Sequence, residues 1–219
     1  VLVLFDGFLY VGQRNRDYLL RHGAAPDRLF FSPHCVDNDA FRAASEAARR
    51  AAPAAGGPAP VRRILFVGKL IERKRPFDVL QAASQMAGRG VPVEVAFAGS
   101  GDLQAALTSA AAAAGRRAHF HGFVNQSELP AVYAAADVVV LPSDGRETWG
   151  LVVNEAMACG VPAVVSDAVG CGPDLIEPGV TGAVFPLGDA AALAVGIETV
   201  LAFDRDRTRR ALAERMETY

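Results

Sequence analysis

The sequence predicts an α/β protein built on a doubly wound, Rossmann-like parallel sheet of about six strands, and three observations predict it. From residue 61 onward, apolar runs at 61–67, 93–98, 118–121, 138–141, 162–166 and 182–185 alternate with helical patterns at about 76–89, 102–114, 127–136, 151–158, 172–176 and 189–202. The runs are continuously apolar instead of alternating with polar residues, as strands covered on both faces require. Of the 219 residues, 51% are hydrophobic and 21% charged, a globular composition that can build such a core.

Ahead of that domain, residues 1–5 (Val-Leu-Val-Leu-Phe) read as a buried strand. Tyr18, Leu19 and Leu20 lie on a short helical pattern that Gly23 ends, and 28–31 read as a second strand. With Val in first place, residues 1–44 are expected to be a strand-helix-strand remnant of a second domain in a larger protein. Between 45 and 60 the sequence turns to Ala, Gly and Pro with no periodicity to bury, so a short helix and then a mobile linker are expected, the linker assigned to 45–60. Residues 61–219 form the main domain. Alanine tracts such as 110–114, beside a single Trp, predict a core that leans on close helix packing.

Lys and Arg number 22 against 24 Asp and Glu, a net charge of −2, which leaves no electrostatic footprint for nucleic acid. No apolar run approaches the roughly 20 residues of a membrane-spanning helix, and no basic-then-apolar leader opens the chain. Cys35, Cys159 and Cys171 are odd in number and unclustered, against both a disulfide framework and a metal knuckle. A cytoplasmic location is expected, with peripheral attachment to the inner membrane face left open.

In doubly wound sheets a ligand sits beyond the carboxyl ends of the strands, on loops that lead into helices. Two such loops carry charge. Arg outnumbers Lys 20 to 2, and both lysines, Lys69 and Lys74, fall in Val67-Gly-Lys-Leu-Ile-Glu-Arg-Lys-Arg-Pro76, between the domain's first strand and first helix. A compact ammonium on a flexible stem suits a phosphate oxygen, whereas a guanidinium fork matches a planar partner. Two solvated loop lysines are the plainer alternative.

The second loop is Pro142-Ser-Asp-Gly-Arg-Glu-Thr-Trp-Gly-Leu-Val-Val-Asn-Glu155, with Glu147 in the loop and Glu155 one turn inside the following helix. Two carboxylates beside one positive helix start need partners. An anion docked on the amides of Gly150, Leu151 and Val152 would leave them to accept hydrogen bonds from flanking hydroxyls, a ribose on one side and a sugar on the other. An ordinary helix with acidic residues near its start is the alternative. Gly99-Ser-Gly101 lacks the third glycine of a dinucleotide fingerprint, Gln104 standing in its place, and reads as a strand-to-helix turn. His119 and His121 read as edge or core histidines with opposite neighbours, not a metal pair. Cys171, in Gly170-Cys-Gly172, reads as part of a turn before a helix more readily than as a nucleophile.

Four stretches together resemble the carboxyl-terminal half of retaining family 4, group 1 glycosyltransferases with the two-domain GT-B fold. They are Phe66-Val-Gly-Lys-Leu-Ile-Glu-Arg-Lys74, Phe120-His-Gly-Phe-Val124, Ala136-Asp-Val-Val-Val-Leu-Pro-Ser143, and Glu147-Thr-Trp-Gly-Leu-Val-Val-Asn-Glu-Ala-Met-Ala-Cys-Gly-Val-Pro162, which contains the family's Glu-x7-Glu motif. Ser32-Pro-His-Cys-Val-Asp37 similarly looks like the end of the family's acceptor domain.

The resemblance implies a nucleotide diphosphate sugar as donor substrate, no cofactor and no metal. Lys69 and Lys74 would neutralise the departing diphosphate, and Gly150, Leu151 and Val152 would add backbone donors. Glu155 would hold the ribose, Glu147 the transferred sugar near its reacting carbon, and Phe123 and Val124 the base, with Trp149 shaping the sugar pocket. The acceptor would be a glycan or lipid-linked molecule held through the domain missing before Val1, so this piece is expected to bind donor weakly and to transfer poorly. Lys69, His34-Cys35 and Trp149 depart from the family's usual Arg, Asn-Gly and Phe. A noncatalytic nucleotide-sugar-binding module that completes a partner chain is the rival reading; a sugar-nucleotide epimerase or a phosphorylase is more remote. An exposed remnant at 1–40 could also pair with a second copy.

Overall fold

The computed structural model describes residues 4–52 and 61–219. Strand β1 (Phe8–Tyr10) pairs in parallel with β2 (Leu29–Phe31), Phe8 opposite Leu29, and α1 (Gln13–Arg21) joins them. Helix α2 (Asn38–Ala51) leads into the main domain, whose strands are β3 (Arg62–Val67), β4 (Val93–Ala98), β5 (Ala118–Gly122), β6 (Val138–Leu141), β7 (Ala163–Ser166) and β8 (Gly182–Phe185). They form one parallel sheet in the order β5-β4-β3-β6-β7-β8. Between and after them run α3 (Pro76–Gly88), α4 (Gln104–Ala113), α5 (Leu129–Ala134), α6 (Leu151–Ala158), α7 (Gly172–Leu175), α8 (Ala190–Leu201) and α9 (Arg205–Met216).

The continuous apolar runs have the expected cause. Along β3, Ile64 and Phe66 join a core with Val79 and Met86 of α3, Leu107 of α4 and Ile197 of α8, while Leu65 and Val67 face Phe41 of α2, Tyr133 of α5 and Ala156 of α6. A third cluster closes the β7 side, with Val165, Trp149, Val153, Leu175 and Leu212. Each fully buried Leu, Ile or Phe contributes about 1.5–3 kcal/mol of transfer free energy, so both faces of β3 help to hold the sheet.

The structure departs from or adds to expectation at four places. The first strand of the described residues lies at Phe8–Tyr10; of the run read as a buried strand, Leu4 and Phe5 are exposed, and Val1 to Val3 lie outside the described residues. The segment read as linker from residue 45 begins inside α2, whose Asp37 N-cap accepts from the Ala40 amide at 2.9 Å and which buries Phe41 and Ser45; residues 53–60 lie outside the described residues. Helix α9 had no counterpart in the sequence reading. Its Arg-rich text hides a narrow buried stripe at Thr208, Leu212 and Met216, four residues apart, behind an Asp204 cap that accepts from the Arg207 amide. His119 and His121 lie on the edge strand β5 as the edge reading had it, but not with opposite neighbours: both are exposed on one face, ring centroids 4.4 Å apart, because a strand returns to the same face every second residue.

Candidate functional site

The strand order reverses between β3 and β6, the point at which doubly wound sheets place a binding crevice, and residues 68–75 and 142–150 meet there beyond the carboxyl ends of the two strands. Both loops are shaped by close backbone approaches. Leu70, fully buried, anchors the first: its amide donates to the Ser100 carbonyl at 3.0 Å and its own carbonyl accepts from Leu103 at 3.0 Å. A Cβ on Gly99 would fall 2.0 Å from the Gly68 carbonyl oxygen, and one on Gly101 would fall 2.4 Å from that of Leu70. The Gly-x-Gly turn therefore exists to let the loop after β4 lie against the loop after β3. Lys69 stands exposed beside this anchor.

Lys74 ends a short 3-10 turn, Glu72–Lys74. Next, Arg75 adopts the left-handed region (φ 51°), a conformation that costs a non-glycine residue about 1 kcal/mol. Its guanidinium forks onto Asp78 at 2.7 and 3.1 Å, and Pro76 then starts α3. This fixed turn brings the Lys74 ammonium onto the Glu147 carboxylate, both side chains being largely buried. The Asp144 amide also donates to the Arg73 carbonyl at 2.9 Å, so the two loops are joined by backbone as well as by charge.

The second loop is held from below. The Gly170 amide donates to the Glu147 carbonyl and the Cys171 amide to the Trp149 carbonyl, each at 3.0 Å. Gly150 has φ 107°, and a Cβ there would lie 2.6 Å from Leu141 Cδ2. Helix α6 starts immediately after it with no side-chain cap, so the amides of the first turn, Leu151 and Val152 among them, have no intrahelical acceptor. Ser143, fully buried in the same loop, carries a hydroxyl with no partner among the described residues.

One turn along α6, Glu155 accepts a 2.6 Å hydrogen bond from the phenol of the fully buried Tyr133. Burial pushes the Glu155 carboxyl upward and the Tyr133 bond opposes that shift, while burial first and then Glu155 push the phenol well up. After β5, Phe123 is 77% exposed, whereas Val124 packs on the core that holds Tyr133.

Trp149 does not stand where the sequence reading put it. Its ring is 2% exposed, stacks on Tyr219 at 5.7 Å and donates through Nε1 to Asn154 Oδ1 at 2.8 Å, so it supports the loop from the core and presents no face to the crevice. The amino-terminal segment docks on the same support. A Cβ on Gly12 would lie 2.3 Å from the Trp149 ring, and Asp174 accepts from the Gln13 amide with both oxygens at 3.1 Å and from the Tyr219 hydroxyl at 3.1 Å. The Asn154 amide nitrogen reaches the His34 carbonyl at 3.4 Å. Sequence reasoning singled out neither Asp174 nor Tyr133; a proline-led turn and an apolar helix face conceal them.

Other candidates fall away on geometry. Cys171 is fully buried and burial pushes its thiol far upward, so no thiolate forms near neutral pH. A cavity of about 530 Å³ lies at the opposite end of the sheet, lined by Arg62, Asp137, Pro162 and Phe203 among others, with Arg62 and Arg205 both engaged by Asp137. Among the described residues, no group of three or more His, Cys, Asp or Glu is placed to hold a metal ion, and no helix is long and apolar enough to cross a membrane.

Fold and loops together define a doubly wound α/β domain whose crevice, at the point of strand reversal, joins a cation-bearing loop to an uncapped helix start. The chain belongs to the group 1 glycosyl transferases, the family whose model matches residues 53–218. It is 36% identical over 203 residues to the D-inositol 3-phosphate glycosyltransferase of Mycobacterium sp. strain JLS, a match that covers 90% of this chain and 45% of that protein. The chain thus spans less than half the length of that relative. Among solved structures, a glycosyltransferase from Rickettsia africae ESF-5 superposes with a TM-score of 0.80 at 18% identity, over 97% of this chain and 59% of that one. Anabaena HepE, crystallised with UDP and glucose, superposes with a TM-score of 0.68 at 20% identity, over 98% of this chain and 63% of that one. These two likenesses show the GT-B architecture.

Proposed function

We propose that this chain is the donor-binding half of a retaining glycosyltransferase, which takes a sugar from a nucleotide diphosphate sugar and passes it to an acceptor held by another part of the protein. The observation that carries the reading is the meeting of Lys74 and Glu147 across the switch point, beside the uncapped start of α6. The diphosphate draws the Lys74 ammonium away from Glu147, with Lys69 and the first amides of α6 completing its neutralisation. Glu147, released from its partner, accepts from hydroxyls of the transferred sugar, and Glu155 accepts from the ribose. Phe123 and Val124 flank the base.

Breaking a sugar-phosphate bond through an oxocarbenium-like transition state requires that the departing diphosphate be stabilised, and fixed cations with helix amides supply this without a metal. Orientation by the two carboxylates adds the rest. The acceptor class favoured is a glycan or lipid-linked hydroxyl. The mycobacterial relatives, named for inositol 3-phosphate, add a phosphorylated polyol as a candidate.

Thermal protection by a panel of nucleotide sugars and free nucleotides tests the reading. At least one nucleoside diphosphate is expected to raise the melting temperature of the wild-type chain and to leave Glu155→Ala unprotected. Equal shifts in both proteins, or none with any nucleotide, would reject the site.

A further inference from the structure

The side chain that holds Glu155 lies outside every motif singled out in the sequence. Tyr133 sits on α5 with its ring fully buried, in one cluster with Val139 of β6 and Ala156 of α6, and 6.5 Å from the ring of Phe41 on α2. Packing on all sides fixes the ring, and a fixed ring leaves its hydroxyl one place to go. That place is Glu155 Oε2, at 2.6 Å. No other hydrogen bond among the described residues reaches this carboxylate, and Glu155 itself is only half-buried.

We infer that Tyr133 is a positioning residue of the donor site, clamping one carboxylate oxygen of Glu155 so that the other is presented to a ribose hydroxyl. The inference rests on the ribose role proposed above for Glu155. A carboxylate on a free side chain would have to be ordered by the ligand, at a cost in rotamer entropy; one already held by a buried phenol has been ordered by folding.

The same bond opposes the effect of burial on the Glu155 charge. Burial favours the neutral Glu155 carboxyl, and the Tyr133 hydroxyl favours the charged one. The other groups nearby do not compete for that role. The Cys159 thiol, one turn further along α6, is pushed up to about 11 by burial and stays neutral. Arg49 of α2 donates to the Cys159 carbonyl at 2.5 Å. Loss of the phenol oxygen therefore lets Glu155 take up a proton at higher pH, and a neutral carboxyl is a weaker acceptor for ribose.

Calorimetry on the 219-residue chain, using UDP, GDP and ADP with their 2′-deoxy and 3′-deoxy counterparts across a pH series, separates the outcomes. Wild type is expected to prefer the ribonucleotide. Tyr133→Phe, which keeps the ring and its packing, should lower that preference about tenfold and move the acid limb of affinity to higher pH, while affinity for the deoxynucleotide holds. An unchanged preference and an unchanged acid limb in Tyr133→Phe would overturn the inference and leave a purely structural tyrosine. Absence of any ribose preference in wild type would instead remove the role of Glu155, and the inference with it. Should Tyr133→Phe fail to fold, Glu155→Gln decides: its ratio of ribonucleotide to deoxynucleotide affinity should be reduced and independent of pH, and a ratio that keeps the wild-type pH dependence would overturn the assignment.

Discussion

Lys74 and Glu147 lie 73 positions apart in sequence and meet in one largely buried ion pair across the mouth of the sheet. Each is delivered by a loop braced elsewhere, Lys74 by the left-handed turn at Arg75 and Glu147 by the amide of Gly170. A pair of this kind neutralises both charges where the two loops meet; under the proposed function it also gives an incoming diphosphate an ammonium already in place.

Removal of one partner should therefore be felt twice. Lys74→Ala leaves a shielded carboxylate unpaired, with an expected loss of about 1–3 kcal/mol in stability. Lys74→Ala/Glu147→Ala should recover part of that loss in a double-mutant cycle followed by urea unfolding. In calorimetry, Lys74→Ala should weaken a nucleoside diphosphate by about tenfold or more and leave the nucleoside nearly untouched. Equal losses for uridine and UDP would contradict the diphosphate role.

Two glycines should respond in opposite directions to the same methyl group. Gly99→Ala forces a Cβ to within 2.0 Å of the Gly68 carbonyl oxygen at φ 139°, a backbone clash that no side-chain rotation relieves. A loss of about 3 kcal/mol or more is expected, with disruption of the Lys69 loop. Gly88→Ala, at the exposed end of α3, meets nothing within 4 Å and should stabilise by about 0.5–1 kcal/mol. Chemical denaturation of the two variants checks both signs; a Gly99→Ala protein as stable as wild type would show that the loop contact is dispensable.

The periodicity was enough to place the six main strands, because strands buried on both faces leave uninterrupted apolar text. It failed at α9 for the converse reason: that helix buries one narrow stripe, and its Arg-rich surface dominates the sequence. The site divides the same way. Lys74 and Glu147 could be singled out as candidates because their loops follow apolar strands and because lysine is rare in this chain; the structure adds that the two side chains meet. Trp149 was misread as a pocket wall, since nothing local to residues 142–155 announces Tyr219, 70 positions on, as its stacking partner. Tyr133 and Asp174 were illegible because their roles depend on contacts 22 and 161 positions away, with Glu155 and the Gln13 amide.

Asp174 is where pH should act on the fold. It is 6% exposed and ties three segments together, accepting from Gln13 and Tyr219 while α7 carries it beside the Trp149 cluster. Burial raises its carboxyl above the ordinary range, and the bonds from Gln13 and Tyr219 with the charges of Arg14 and Arg215 only partly offset that. The folded state then binds a proton more readily than the unfolded chain, so the penalty on the charged form is absent below the unfolded carboxyl's range and grows as pH rises through the raised folded value. Asp174→Asn removes this titration and keeps one acceptor for the Gln13 amide. Relative to wild type, Asp174→Asn should gain stability as pH rises from about 3 to 7, above the ordinary aspartate range near 3.9. Parallel melting curves at four or five pH values measure the difference; a gap between the two proteins that stays constant, or widens toward acid, would place the docking of the amino-terminal segment on contacts other than this carboxylate.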